Sequence, residues 1–104
     1  MPQAEAPSVF EQLGLPNHRE LELKSRIAAQ IIGTIRKRGL TQKEAAKLAG
    51  VTQSKISQIT SAKLNGFSAE KLFSVLTGLG LDVTVSFGKR INKTRPGLLS
   101  IAAD

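Results

Sequence analysis

Gln53, Ser54, Lys55, Ser57 and Gln58 stand in a single run, QSKISQ, interrupted only by Ile56. Amides, hydroxyls and ammonium groups are the side chains that read nucleic acid. Glutamine can pair with N6 and N7 of adenine, lysine can donate to O6 or N7 of guanine, and serine serves base or phosphate. Thr41, Gln42, Lys43 and Thr52 before that face, and Lys63 and Asn65 after it, supply further donors suited to phosphate, through side chains or the amides of helix starts. No comparable set supports catalysis. The chain has one histidine, His18, placed like a surface residue, no cysteine, and acids too scattered to form a pair. No glycine-rich phosphate loop is present, and the lack of cysteine removes thiolate metal sites and disulfides. No catalytic residue, metal or cofactor is therefore expected. The same six residues would also suit an ordinary solvated helix face, so the elements that position them decide their meaning.

Those elements are readable from caps and periodicity. Asn17 and Glu20 form a variant of an N-terminal capping box, and Leu23, Ile27, Ala28, Ile31, Ile32 and Ile35 recur at helical spacing. This first helix ends at Arg36, Lys37, Arg38 and Gly39, where cations complement the helix dipole, which is the plainer reading of that basic run. Thr41 and Glu44 form a second capping box, opening a short helix with Ala45, Ala46, Leu48 and Ala49 inward. Gly50 breaks it, Thr52 caps a third short helix, and Ile56 and Ile59 are its inner stripe. A loop, AKLNGF, leads to Ser68, the cap of a fourth helix with Leu72, Phe73, Val75, Leu76 and Leu79 inward and Gly78 and Gly80 at its end. The period then changes to two. Leu81, Val83, Val85 and Phe87 alternate with Asp82, Thr84, Ser86 and Gly88, the pattern of a half-buried strand.

Two short helices joined at a glycine, with small Ala46 four residues after Gln42 and Gly50 eight after it, form the spacing of a helix-turn-helix. Ala46 allows the helices to approach and Gly50 permits the positive φ of the turn. Charge agrees with a polyanionic partner. Residues 1–22 hold four acids against Arg19, a net of −3, which leaves +10 on the rest of a chain carrying +7. Such a field favours nucleic acid over a membrane surface, since no segment pairs a strong basic face with a large apolar one. The 104 residues allow one domain with tails: an N-terminal arm over 1–16, a helix-turn-helix domain over 17–88 containing a dimerisation strand over 81–88, and a basic flexible tail over 89–104. No signal peptide or membrane span is expected, and a cytoplasmic location is the default.

The stretch LTQKEAAKLAGVTQSKISQITSAKLN, Leu40 to Asn65, resembles the Xre family of lambda-repressor-like DNA-binding domains. VFEQLGLPNHRELELKSRIAAQI before it and FSAEKLFSVLTGLGLDVTVSF after it look like the HigA-type antitoxin branch, so the resemblance covers about 80 of the 104 residues. It implies a mainly α bundle of four to five helices, the fifth falling near Val9–Leu15 or between the motif and the fourth helix. It implies that the helix opened by Thr52 enters the major groove, and that Gln42 holds a phosphate and braces the first recognition residue, Gln53. It further implies a repressor of its own operon that neutralises a small RNA-cleaving toxin. The alternative is a stand-alone Xre-family regulator with no toxin partner.

A lone strand must find a partner for its backbone. Antiparallel pairing across a two-fold axis would bury Val83, Val85 and Phe87 and give a homodimer, as the resemblance also implies; the alternative is pairing with part of residues 1–16 or with a partner protein. Two recognition helices roughly 34–36 Å apart then predict a near-palindromic double-stranded DNA operator. The arm, with Val9, Phe10, Glu11, Leu13 and Leu15, has the acidic and apolar composition that could dock on a basic toxin, or else cover the end of the bundle.

Overall fold

The computed structural model describes residues 17–101. Four helices occur among them: α1 (Asn17–Arg38), α2 (Gln42–Ala49), α3 (Gln53–Thr60) and α4 (Ala69–Gly78). None is long and apolar enough to cross a membrane. The long α1 is the spine. It packs against α4 and α3, while α2 packs against α3 and α4.

Local sequence dictates where each element starts and stops. Thr41, Thr52 and Ser68 each hold an extended backbone and accept, through the side-chain oxygen, from the amide three residues on. Each satisfies a donor that the first helical turn leaves unpaired. Gly50 ends α2 with φ 70°, and the Val51 amide returns to the Ala46 carbonyl at 3.0 Å. A side chain with Cβ is disfavoured at that angle, which is why glycine stands at the turn.

At eight residues each, α2 and α3 are shorter than the ~12–15 that an isolated helix needs. Burial holds them. Ile27 and Ile31 of α1, Ile56 and Ile59 of α3, and Leu72, Val75 and Leu79 from α4 and its cap are almost wholly removed from solvent, each contributing about 1.5–3 kcal/mol. Leu64 and Phe67, in the segment between α3 and α4, are buried too and close the base of the same core. That segment is turn and not a further helix. Ala62 takes φ 60° there, which lets the Lys63 amide reach the Gln58 carbonyl at 2.9 Å and stops α3 in a tight C-terminal bond.

Three expectations change. Leu48 is 45% exposed, because Ala45, Ala46 and Ala49 already make the inner stripe of so short a helix. The strand expected over 81–88 is not formed among the described residues: Val83 is half-buried against the core, but Val85 and Phe87 are 69% and 90% exposed. Among the described residues no second strand lies beside that segment, so its backbone completes no ladder there. Finally, the basic tail does not simply trail away. Leu99 and Ile101 are half-buried, lining a groove with Arg19, Glu22, Leu23 and Arg26 of α1.

Candidate nucleic-acid interface

The third helix divides its side chains cleanly. Ile56 and Ile59 are fully buried, whereas Gln53, Ser54, Lys55, Ser57 and Gln58 are all exposed. None of those five side chains makes a hydrogen bond within the described residues. Their donors and acceptors are therefore directed to solvent or to a partner. Thr52 ahead of them is exposed and its hydroxyl accepts from the Lys55 amide at 3.1 Å. The first turn of α3 carries no acid, so the positive end of its dipole is not cancelled by a carboxylate.

The start of α2 is built differently. Thr41 accepts from the Glu44 amide at 3.1 Å, and the Glu44 carboxylate accepts from the Thr41 amide at 2.8 Å, a complete capping box. The Thr41 backbone amide, and after it the Thr41 side chain, hold the Glu44 carboxyl below its ordinary pKa. The amides of Gln42 and Lys43 are left without an acceptor among the described residues. They are donors of the kind that hold a phosphate at a helix start. The Lys43 side chain is exposed.

Gln42 is half-buried, and its amide donates to Thr60 Oγ1 at 3.3 Å. Bracing of Gln53 by this amide, which the sequence resemblance implies, is not what the structure shows. Thr60 gives its proton to the Ser57 carbonyl at 3.0 Å and so presents an acceptor to Gln42. The bond ties the start of α2 to the end of α3. Lys63 and Asn65 are exposed in the turn that follows α3. Val9, Phe10, Glu11, Leu13 and Leu15 lie outside the described residues. No cluster of His, Cys, Asp or Glu that could hold a metal is found among the described residues.

Two connections are absent from the sequence reading. Arg38 Nη1 donates to the Leu79 carbonyl at 2.8 Å, joining the end of α1 to the end of α4. Gly78 lies so near α2 that a Cβ on it would stand 2.8 Å from the Ala49 Cα and 3.0 Å from the Leu48 carbonyl oxygen. A glycine inside a helix is the only sequence signal of the second.

Two capped helices set across a left-handed glycine, with a polar face turned outward, define a helix-turn-helix protein. Residues 9–88 match the family model described as a helix-turn-helix domain. The chain is also similar to a solved structure described as a candidate XRE family transcriptional regulator, at 31% identity and a TM-score of 0.76, over 86% of this chain and all of that one. The chain belongs to the helix-turn-helix domain family and to the XRE family. No curated protein matches it in sequence.

The Glu44 cap gives a pH signature. A folded pKa below the unfolded one means that the unfolded chain binds more protons between the two values, so this stability is present above the unfolded pKa and lost as pH falls through the folded one. Thermal melts of the wild type and Glu44→Ala should differ at about pH 7 and converge towards about pH 3. A gap that persists unchanged at the acid end would show that the carboxylate bonds do not act as described.

Proposed function

We propose that this protein is a sequence-specific DNA-binding transcriptional repressor. One observation carries the reading: five polar side chains of α3 are exposed on one face and unengaged within the described residues, at the helix that the family uses for recognition. Gln53, Ser54, Lys55, Ser57 and Gln58 contact base edges. Thr41, Gln42, Lys43, Thr52, Lys63 and Asn65 hold the phosphate backbone, Gln42 through its free amide while its side chain braces Thr60. The +10 carried beyond residue 22 supplies the attraction.

The protein acts as a homodimer joined by residues 81–88, with Val83, Val85 and Phe87 at the seam. Among the described residues Val85 and Phe87 stay largely exposed, and the backbone there makes no ladder. Such an edge is satisfied by a second copy in antiparallel register. The operator is then near-palindromic. The finer reading is a HigA-type antitoxin that binds a small basic toxin through Val9, Phe10, Glu11, Leu13 and Leu15, supported by the flanking sequence resemblance and the net −3 of residues 1–22.

Each part has its own measurement. Gln53→Ala and Lys55→Ala should each reduce the preference for the gene's own upstream DNA over random duplex by ~1–3 kcal/mol, read by titration at two salt concentrations. Equal losses on both duplexes would mark phosphate contacts instead. Thr84→Pro removes one ladder donor and should shift the protein towards monomer in sedimentation; an unchanged dimer would discard the seam. Removing residues 1–16 should abolish capture of the neighbouring gene's product at an unchanged Tm, whereas a fall in both would make the arm part of the bundle.

A further inference from the structure

We propose that Gly78, with Arg38, is a positioning residue that sets the angle of the recognition unit relative to the dimerising edge, and through it the match to a two-part operator. The inference rests on the reading of the chain as a DNA-reading dimer. The end of α4 meets three parts of the molecule at once. On one side Gly78 lies against the backbone of Leu48 and Ala49, immediately before the Gly50 turn. On the other, the next residue's carbonyl receives the Arg38 guanidinium at 2.8 Å. Three residues after Gly78, Leu81 begins the exposed segment, its amide returning to the Leu76 carbonyl at 3.1 Å.

This joint therefore separates two bodies that must be registered for paired recognition helices to meet one duplex. α2 and α3 form one of them, tied by the Gln42–Thr60 bond and the Val51–Ala46 bond across the turn. The segment that leaves α4 is the other. A methyl at position 78 would stand 2.8 Å from the Ala49 Cα, and carbon atoms rest at about 3.5–4.0 Å, so the contact must open by about 1 Å. The obstructing atoms are backbone, so no side chain can rotate away. A recognition constellation tolerates about 0.5 Å, which is less than that displacement. Within the α2–α3 unit the phosphate donors and polar face keep their relation, so contacts that any duplex offers survive.

The test compares full-length Gly78→Ala with Gly33→Ala. Gly33 lies within α1 and has open space where a Cβ would stand, so both variants gain a helix-favouring residue but only one opens a contact. Gly78→Ala should bind random duplex with wild-type affinity and salt dependence, while its preference for the upstream DNA falls about ten-fold, the scale of one mismatched base pair. Without DNA, its amide resonances should move from Lys47 through Lys55. Gly33→Ala should change neither. A folded Gly78→Ala with wild-type preference overturns the proposal, whether or not the amides move. If the wild type shows no preference, the DNA reading fails separately, and unmoved amides then overturn the positioning claim as well. Should Gly78→Ala not fold, Arg38→Ala opens the joint from its other side, with Lys37→Ala as the equal-charge control. Greater loss of preference in Arg38→Ala supports the proposal, and equal loss overturns it.

Discussion

Complete burial of Ile56 and Ile59 is the constraint on which the interface depends. The third helix has only eight residues and two inward apolar groups, too little to persist alone in water. Docked against α1 and α2, it gains about 1.5–3 kcal/mol from each isoleucine and is fixed in rotation. Fixing the rotation is what turns Gln53, Ser54, Lys55, Ser57 and Gln58 outward together. Their spacing in the sequence becomes a surface only because the two residues between and beyond them are locked inside.

The rest of the bundle serves that lock. Small side chains at Ala45 and Ala46 are fully or nearly buried, so α2 can lie close to α3. Gly50 supplies the reversal, and Gln42 to Thr60 fastens the ends that the turn leaves apart. The result is a short pair of helices whose backbone donors at Gln42 and Lys43 and whose polar side chains on α3 are unspent within the fold. No buried side-chain nitrogen or oxygen lacks a partner among the described residues, so the unspent donors and acceptors lie at the surface.

The four helices were legible because each carries a local signal: Thr41, Thr52 and Ser68 as caps, and an apolar stripe at helical period behind them. The candidate α3 face was legible for the same reason, since the positions of Ile56 and Ile59 leave the others outside. What the sequence concealed was non-local. Leu64 and Phe67 complete the core from a turn, where no period marks them as buried. Leu48 looks inward by composition but is displaced outward once three alanines fill the stripe. Gly78 reads as a flexible helix end, yet its role is a close approach to a backbone nearly thirty residues earlier in the chain. The alternation over 81–88 states which residues want burial and not what will bury them.

That exposed segment also shows how charge and assembly act on each other. Val85, Phe87, Ile91 and Leu98 are exposed, and Lys89, Arg90, Lys93 and Arg95 are interspersed among them. Apolar groups favour pairing with another edge, whereas the cations oppose it by bringing two basic bodies together. In the proposed dimer, a polyanion bound across both copies would relieve that repulsion, so DNA binding and dimerisation would strengthen each other by the same factor. Salt would act on the two in opposite senses, screening the repulsion between copies while weakening their hold on phosphate. The apolar edge and the basic surface are thus not separate decorations of the bundle. In the proposed dimer the first would supply the two-fold symmetry, and the second would make that symmetry most favourable when a duplex is present.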